Sequence, residues 1–157
     1  MTPAQEMAEV RALAGAGLGQ KLVEVLKHTS TVDGWPGTMP TGWIFTSKPT
    51  RHGDRLTVII ARDASTNLYH SHLYRFDVRQ ADGSMGKVDL PAHLNKHPNL
   101  TAHRAHIYPS GKTGGILCLS ERTLGGMPDI KTSVLQCAKW ADGIGLVVRG
   151  KTFPYRQ

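Results

Sequence analysis

Two side chains in this sequence could act as thiol nucleophiles, Cys118 and Cys137, and eight histidines are available to serve them. A pair of cysteines is too few for a disulfide framework. It also lacks the C-x-x-C spacing of a structural zinc site. Cys137 falls at helical spacing with Ile130, Val134, Ala138 and Ala141, so it reads as a small buried hydrophobe on an apolar helix face. Cys118 stands in the compact apolar run Ile116-Leu117-Cys118-Leu119, flanked by Gly111, Gly114, Gly115, Gly125 and Gly126. Two readings of it stay open on sequence physics alone. It is either a reactive group carried on a loop above a rigid scaffold, or part of an apolar plug that closes the core beneath a long loop.

A cysteine nucleophile assisted by a general base needs an imidazole close in space. His106, twelve residues before Cys118 and at the end of an expected strand, is the best placed. His70 and His72, or His93 and His97, could join a thiolate on a metal ion. Neither pair has a carboxylate in a recognised motif, and the stretch from His93 to His97 lacks the Glu of a zincin helix. No metal ligand set is assigned.

These residues need elements to hold them. The first 28 residues read as helix. Thr2, Pro3 and Gln5 form a capping-box start, with apolar stripes at Met7, Val10 and Leu13 and at Leu22, Val25 and Leu26. Gly15, Gly17 and Gly19 break it between the stripes. Turn chemistry fills Ser30 to Thr41. Three short strands follow, at Gly42 to Thr46, around Leu56, Val58 and Ile60, and around Tyr74, Phe76 and Val78. A fourth is expected from Ala102 to Tyr108, giving an antiparallel meander, because the short loops leave no room for crossover helices. A long ordered loop runs from Pro109 to Met127. Pro128 then opens a helix, Asp129 lies in its first turn, Gly143 stops it, and Ile144 to Val148 is strand-like. The order is that of a single α+β domain over residues 1–157.

Composition bounds the partners. The chain has 157 residues, 39% hydrophobic and 20% charged, which suits one globular core and excludes a disordered tail protein. No apolar run has the length of a membrane span and no signal-peptide pattern opens the chain, so a soluble, cytoplasmic protein with no membrane partner is expected. The net charge of +7 raises nucleic acid as a partner. Its Lys and Arg are spread thinly, however, without a basic run or a stacking platform, and direct nucleic-acid binding is not the favoured reading.

The segment from Ala102 through Trp140 resembles the active-site region of E2 ubiquitin-conjugating enzymes. In that family a strand ends at a His, a loop with Gly follows, and the nucleophile sits in an Ile/Leu-Cys-Leu setting. A Pro ten residues later starts the next helix. The matching residues are His106, Gly114 and Gly115, Leu117-Cys118-Leu119 and Pro128. The resemblance implies an E2 (UBC)-like fold with an N-terminal helix, a four-stranded meander, an active-site loop, one following helix and the C-terminal helices missing. The compact form is similar to the bacterial E2-like proteins encoded beside cGAS-like nucleotidyltransferases in antiphage defence operons.

The same resemblance implies roles for individual residues. Cys118 would carry an acyl tail as a thioester, and His106 would orient the loop or assist proton transfer. Gly114 and Gly115 would let the partner's tail lie alongside. The implied partners are an E1-like activating enzyme and a ubiquitin-like protein or cGAS-like nucleotidyltransferase. Thioester exchange calls for no cofactor. A catalytically inactive E2-like or RWD-like binding module is the alternative. The family's His-Pro-Asn triplet occurs at His97-Pro98-Asn99, upstream of its usual place, where His106-Ile107-Tyr108 stands instead. Gly126 replaces the usual Trp, and the role of the Asn is left unassigned.

Overall fold

The computed structural model describes residues 2–15, 17–96, 106–108, 113–120, 123, 125–151 and 153–154. The chain is α+β. Helix α1 (Pro3–Gly15) opens on the expected capping box: the Thr2 N–H donates to Gln5 Oε1 at 2.7 Å and the Gln5 N–H to Thr2 Oγ1 at 3.2 Å. Val10 and Leu13 face the core, whereas Met7 is exposed. A short helix α2 (Gly17–Leu22) follows the glycine break.

The helix expected through residue 28 ends early, because Val23–His28 is strand β1. β-branched Val23 and Val25 alternate with Glu24, and this period of two pairs antiparallel with β2 (Trp43–Ser47). The four-stranded meander therefore exists one strand earlier than the sequence pattern placed it. It continues through β3 (Arg55–Asp63) and β4 (Leu68–Arg79), each pair antiparallel. β4 is more than twice the length its Tyr74-Phe76-Val78 signal marked, because the half that runs through His70 and His72 carries little apolar patterning. Strand β5 (Met85–Lys87) pairs with the C-terminal end of β4, and helix α3 (Leu90–Lys96) follows.

The strand expected from Ala102 to Tyr108 lies mostly outside the described residues, as do His97-Pro98-Asn99. What is described is β6 (Ile107–Tyr108), which pairs with β7 (Ile116–Leu117), and β7 in turn pairs with β4. The sheet order is β1-β2-β3-β4-β7-β6. Ile107–Tyr108 thus lies at the sheet's far edge, not beside β4, because β7 occupies that position.

Helix α4 (Ile130–Val148) covers one face of the sheet. Asp129 is its N-cap, with Oδ1 accepting from the Thr132 N–H at 2.7 Å. Gly143 does not stop the helix and Ile144 to Val148 is not a strand. Ile130, Val134, Cys137, Trp140, Ala141, Ile144 and Val147 form one continuous buried face. Gly143 stands where a Cβ would run into the Phe153 ring, so its lack of a side chain serves packing and not termination. Phe45, Leu56, Val58, Ile60, Tyr69, Leu73 and Phe76 complete the core from the sheet side. Among the described residues no helix is long and apolar enough to cross a membrane.

Candidate functional site

The segment around Cys118 is tied to the sheet on both sides of the cysteine. The Gly114 N–H donates to Leu73 O at 3.1 Å, and Gly115 O accepts from the Leu73 N–H at 2.7 Å. Ile116 pairs with His72, and Met127 returns to bridge Tyr69. Gly115 has φ +137, and a Cβ there would lie 2.6 Å from the Ile107 side chain. Both the backbone conformation and the space require glycine. Gly114 and Gly115 therefore spend hydrogen-bonding groups on β4, which anchors the loop that carries Cys118.

β6 and β7 sort their side chains by strand alternation. Paired Ile107 and Leu117 enter the core, while paired Tyr108 and Ile116 face the other side of the sheet. There they line a groove of about 460 Å³ with Ala61, Arg62, Asp63, His70 and His72. Asp63 is held below the usual carboxylate range by hydrogen bonds from the Ser65 hydroxyl and N–H. Arg62 donates to Asn67 Oδ1 at 3.2 Å.

Cys118 extends this ladder by one step, its N–H donating to His106 O at 2.8 Å. Leu117 and Leu119 belong to the core cluster and Cys118 does not. Its thiol instead donates to Tyr108 Oη at 3.2 Å, and the residue is 5% exposed. The apolar run is split by residue: two leucines plug the core while the sulfur between them meets a phenol. Cys137 is different. It is fully buried among core side chains, and burial pushes its thiol up to about 12, only partly offset by Ser71. It stays a thiol at neutral pH and has no access to a partner.

His106 comes next to Cys118 through its backbone. It has φ +54, a left-handed conformation that non-glycine residues adopt at a cost of about 1 kcal/mol or more. In that geometry its carbonyl accepts from the Cys118 N–H and also from Trp140 Nε1 at 2.9 Å. The imidazole packs at a tilt of 39° against the Phe153 ring, with centroids 4.5 Å apart. His106 thus links the cysteine segment to α4, and its carbonyl makes the link. Asp129 is committed to capping α4. His70 and His72 share the groove, and no group of three or more potential metal ligands comes together among the described residues.

Sequence reasoning missed Tyr108 and Trp140. Trp140 falls three residues beyond Cys137 on the buried helix face, where an indole N–H requires an acceptor, so its need for a partner was readable though the partner was not. Tyr108 was marked only as the neighbour of His106, and its meeting with Cys118 depends on a ladder formed across ten residues. Compared with known proteins, the chain matches no family model, no curated protein and no solved structure.

Proposed function

We propose that this protein is an E2-like transferase. It takes the C-terminal tail of a ubiquitin-like protein or cGAS-like nucleotidyltransferase from an E1-like activating enzyme, holds it as a thioester on Cys118, and passes it to an amine. Cytoplasmic bacterial antiviral defence is the setting the resemblance suggests. The observation that carries the reading is the placement of the sulfur. Cys118 stands outside the core cluster, on a segment anchored on both sides, with its thiol against Tyr108. An N-terminal helix, a four-stranded antiparallel meander and a helix beginning just after the cysteine segment are compatible with an E2-like fold.

In the first step Cys118 Sγ bonds to the carbonyl carbon of the activated tail. The donor's C–S bond breaks, and the proton lost by Cys118 passes to the departing sulfur or to solvent. In the second step an amine nitrogen bonds to the same carbon, the C–S bond breaks so that Cys118 leaves as thiolate, and the amine's proton passes to that thiolate or to solvent. One thioester replaces another, so the first step is close to isoenergetic and the chemistry lies in positioning. The Cys118 N–H is already engaged by His106 O, so the developing oxyanion must draw its donors from elsewhere. His106 acts by orienting the segment. Because the Gly114 N–H and the Gly115 carbonyl are committed to β4, a partner's tail would have to lie alongside them without pairing to those groups.

The inactive binding-module reading draws support from the same sulfur, which is 5% exposed and already hydrogen-bonded. A charging assay separates the two. With an activating enzyme, ATP and the tail-bearing protein, the transferase gains an adduct that reducing agent removes. Cys118→Ala abolishes it and Cys137→Ala retains it. Charging of both variants alike would overturn the assignment to Cys118.

A further inference from the structure

Tyr108 touches both the groove and the sulfur. The groove is lined by Tyr108 and Ile116, Cys118 is not among its lining residues, and the Tyr108 hydroxyl accepts the Cys118 thiol proton at 3.2 Å. Ile116 and Cys118 lie two residues apart, on either side of Leu117, which enters the core.

We propose that Tyr108 is a movable cover over Cys118. In the resting protein its phenol hydrogen-bonds the thiol and its ring closes the inner end of the groove. In the reactive state the ring turns into the groove, where about 460 Å³ bordered by His70, His72 and Ile116 leaves room for it. The two states differ by one side-chain rotation, while the backbone stays fixed by the His106 carbonyl and the β4 contacts. The cover blocks adventitious alkylation and oxidation of the thiol between turnovers. Its consequence for acyl transfer rests on the proposed E2-like activity; the cover itself does not.

The test uses a small maleimide on the full-length chain, with site-resolved mass spectrometry reading both cysteines. Cys137, sealed in the core, reports unfolding within the same molecules. In Tyr108→Ala the ratio of Cys118 to Cys137 labelling rates should rise at least tenfold over wild type. Tyr108→Phe keeps the ring and loses the hydroxyl, and its ratio should stay within about threefold of wild type. An unchanged ratio in Tyr108→Ala would overturn the proposal, including the case where both cysteines label faster together through unfolding. A rise in Tyr108→Phe equal to that in Tyr108→Ala would overturn the ring as the barrier. Alkylation needs no activating enzyme, so a chain that never charges can still show the cover, and a chain that charges normally can still lack it.

Discussion

At the scale of single residues, environment separates groups of identical chemistry. Cys118 and Cys137 are the same thiol, yet one meets a phenol beside a groove and the other is enclosed by helix and sheet. A carboxylate at the start of α4 is set apart in the same way. Glu9 reaches from α1 to accept the Lys131 N–H at 2.6 Å. Burial raises its pKa from the ordinary value of 4.5; the Lys131 hydrogen bond opposes this, and the Asp129 charge adds to it. The folded chain thus binds this proton more tightly than the unfolded chain. The stability it contributes is complete below the unfolded value and is lost as pH rises through the folded value. Glu9→Gln keeps an acceptor for Lys131 and removes the titration. Its melting temperature, relative to wild type, should therefore climb between pH 4 and pH 7. A difference that is flat across that range would contradict the burial of Glu9.

At the scale of elements, the cysteine segment depends on β6, β7 and their seam with β4. Gly115 is the tightest point, with φ +137 and the Ile107 side chain where a Cβ would go. Gly115→Ala should destabilise the fold by about 1–3 kcal/mol, and should slow charging of Cys118 because the displaced segment no longer holds the sulfur. Chemical denaturation measures the first effect; wild-type stability in this variant would refute the anchoring role. The capping box of α1 and most of the buried face of α4 were legible because local hydrogen bonding and a 3.6-residue period suffice to define them. β1 was not, because Leu22, Val25 and Leu26 satisfy helical spacing as well as they satisfy a strand. Pairing with Trp43–Ser47 decided between them. The end of α4 was misread for a related reason. Gly143 looks like a stop until Phe153 is seen to fill the space beside it.

At the scale of the whole molecule, contacts distant in sequence close the structure. Asp54, wholly buried at the start of β3, accepts both guanidinium nitrogens of Arg149 at 2.7 and 2.8 Å and the Arg79 N–H at 3.0 Å. Hydrogen bonding to Asp54 raises the Arg149 pKa further, so the guanidinium stays charged. Arg149→Met strands the buried carboxylate and should cost towards the lower end of ~3–5 kcal/mol, since Arg149 is itself partly exposed. The double variant Asp54→Asn with Arg149→Met should recover part of that loss, and denaturation midpoints of the single and double variants measure it. Equal stability of single and double variants would contradict a stranded charge. This pair spans 95 residues, so no sequence pattern announces it. The same holds for the site. Cys118 and His106 could be singled out by type and spacing, whereas the Tyr108 contact and the His106 carbonyl bridge exist only once the sheet has formed.

The most direct test is the intact mass of the purified protein after incubation with an activating enzyme, ATP and the tail-bearing protein, read before and after a reducing agent. The expected result is a gain equal to the tail protein less one water, mapped to Cys118 and erased by the reducing agent. No gain, or a gain that maps elsewhere and resists reduction, would contradict it.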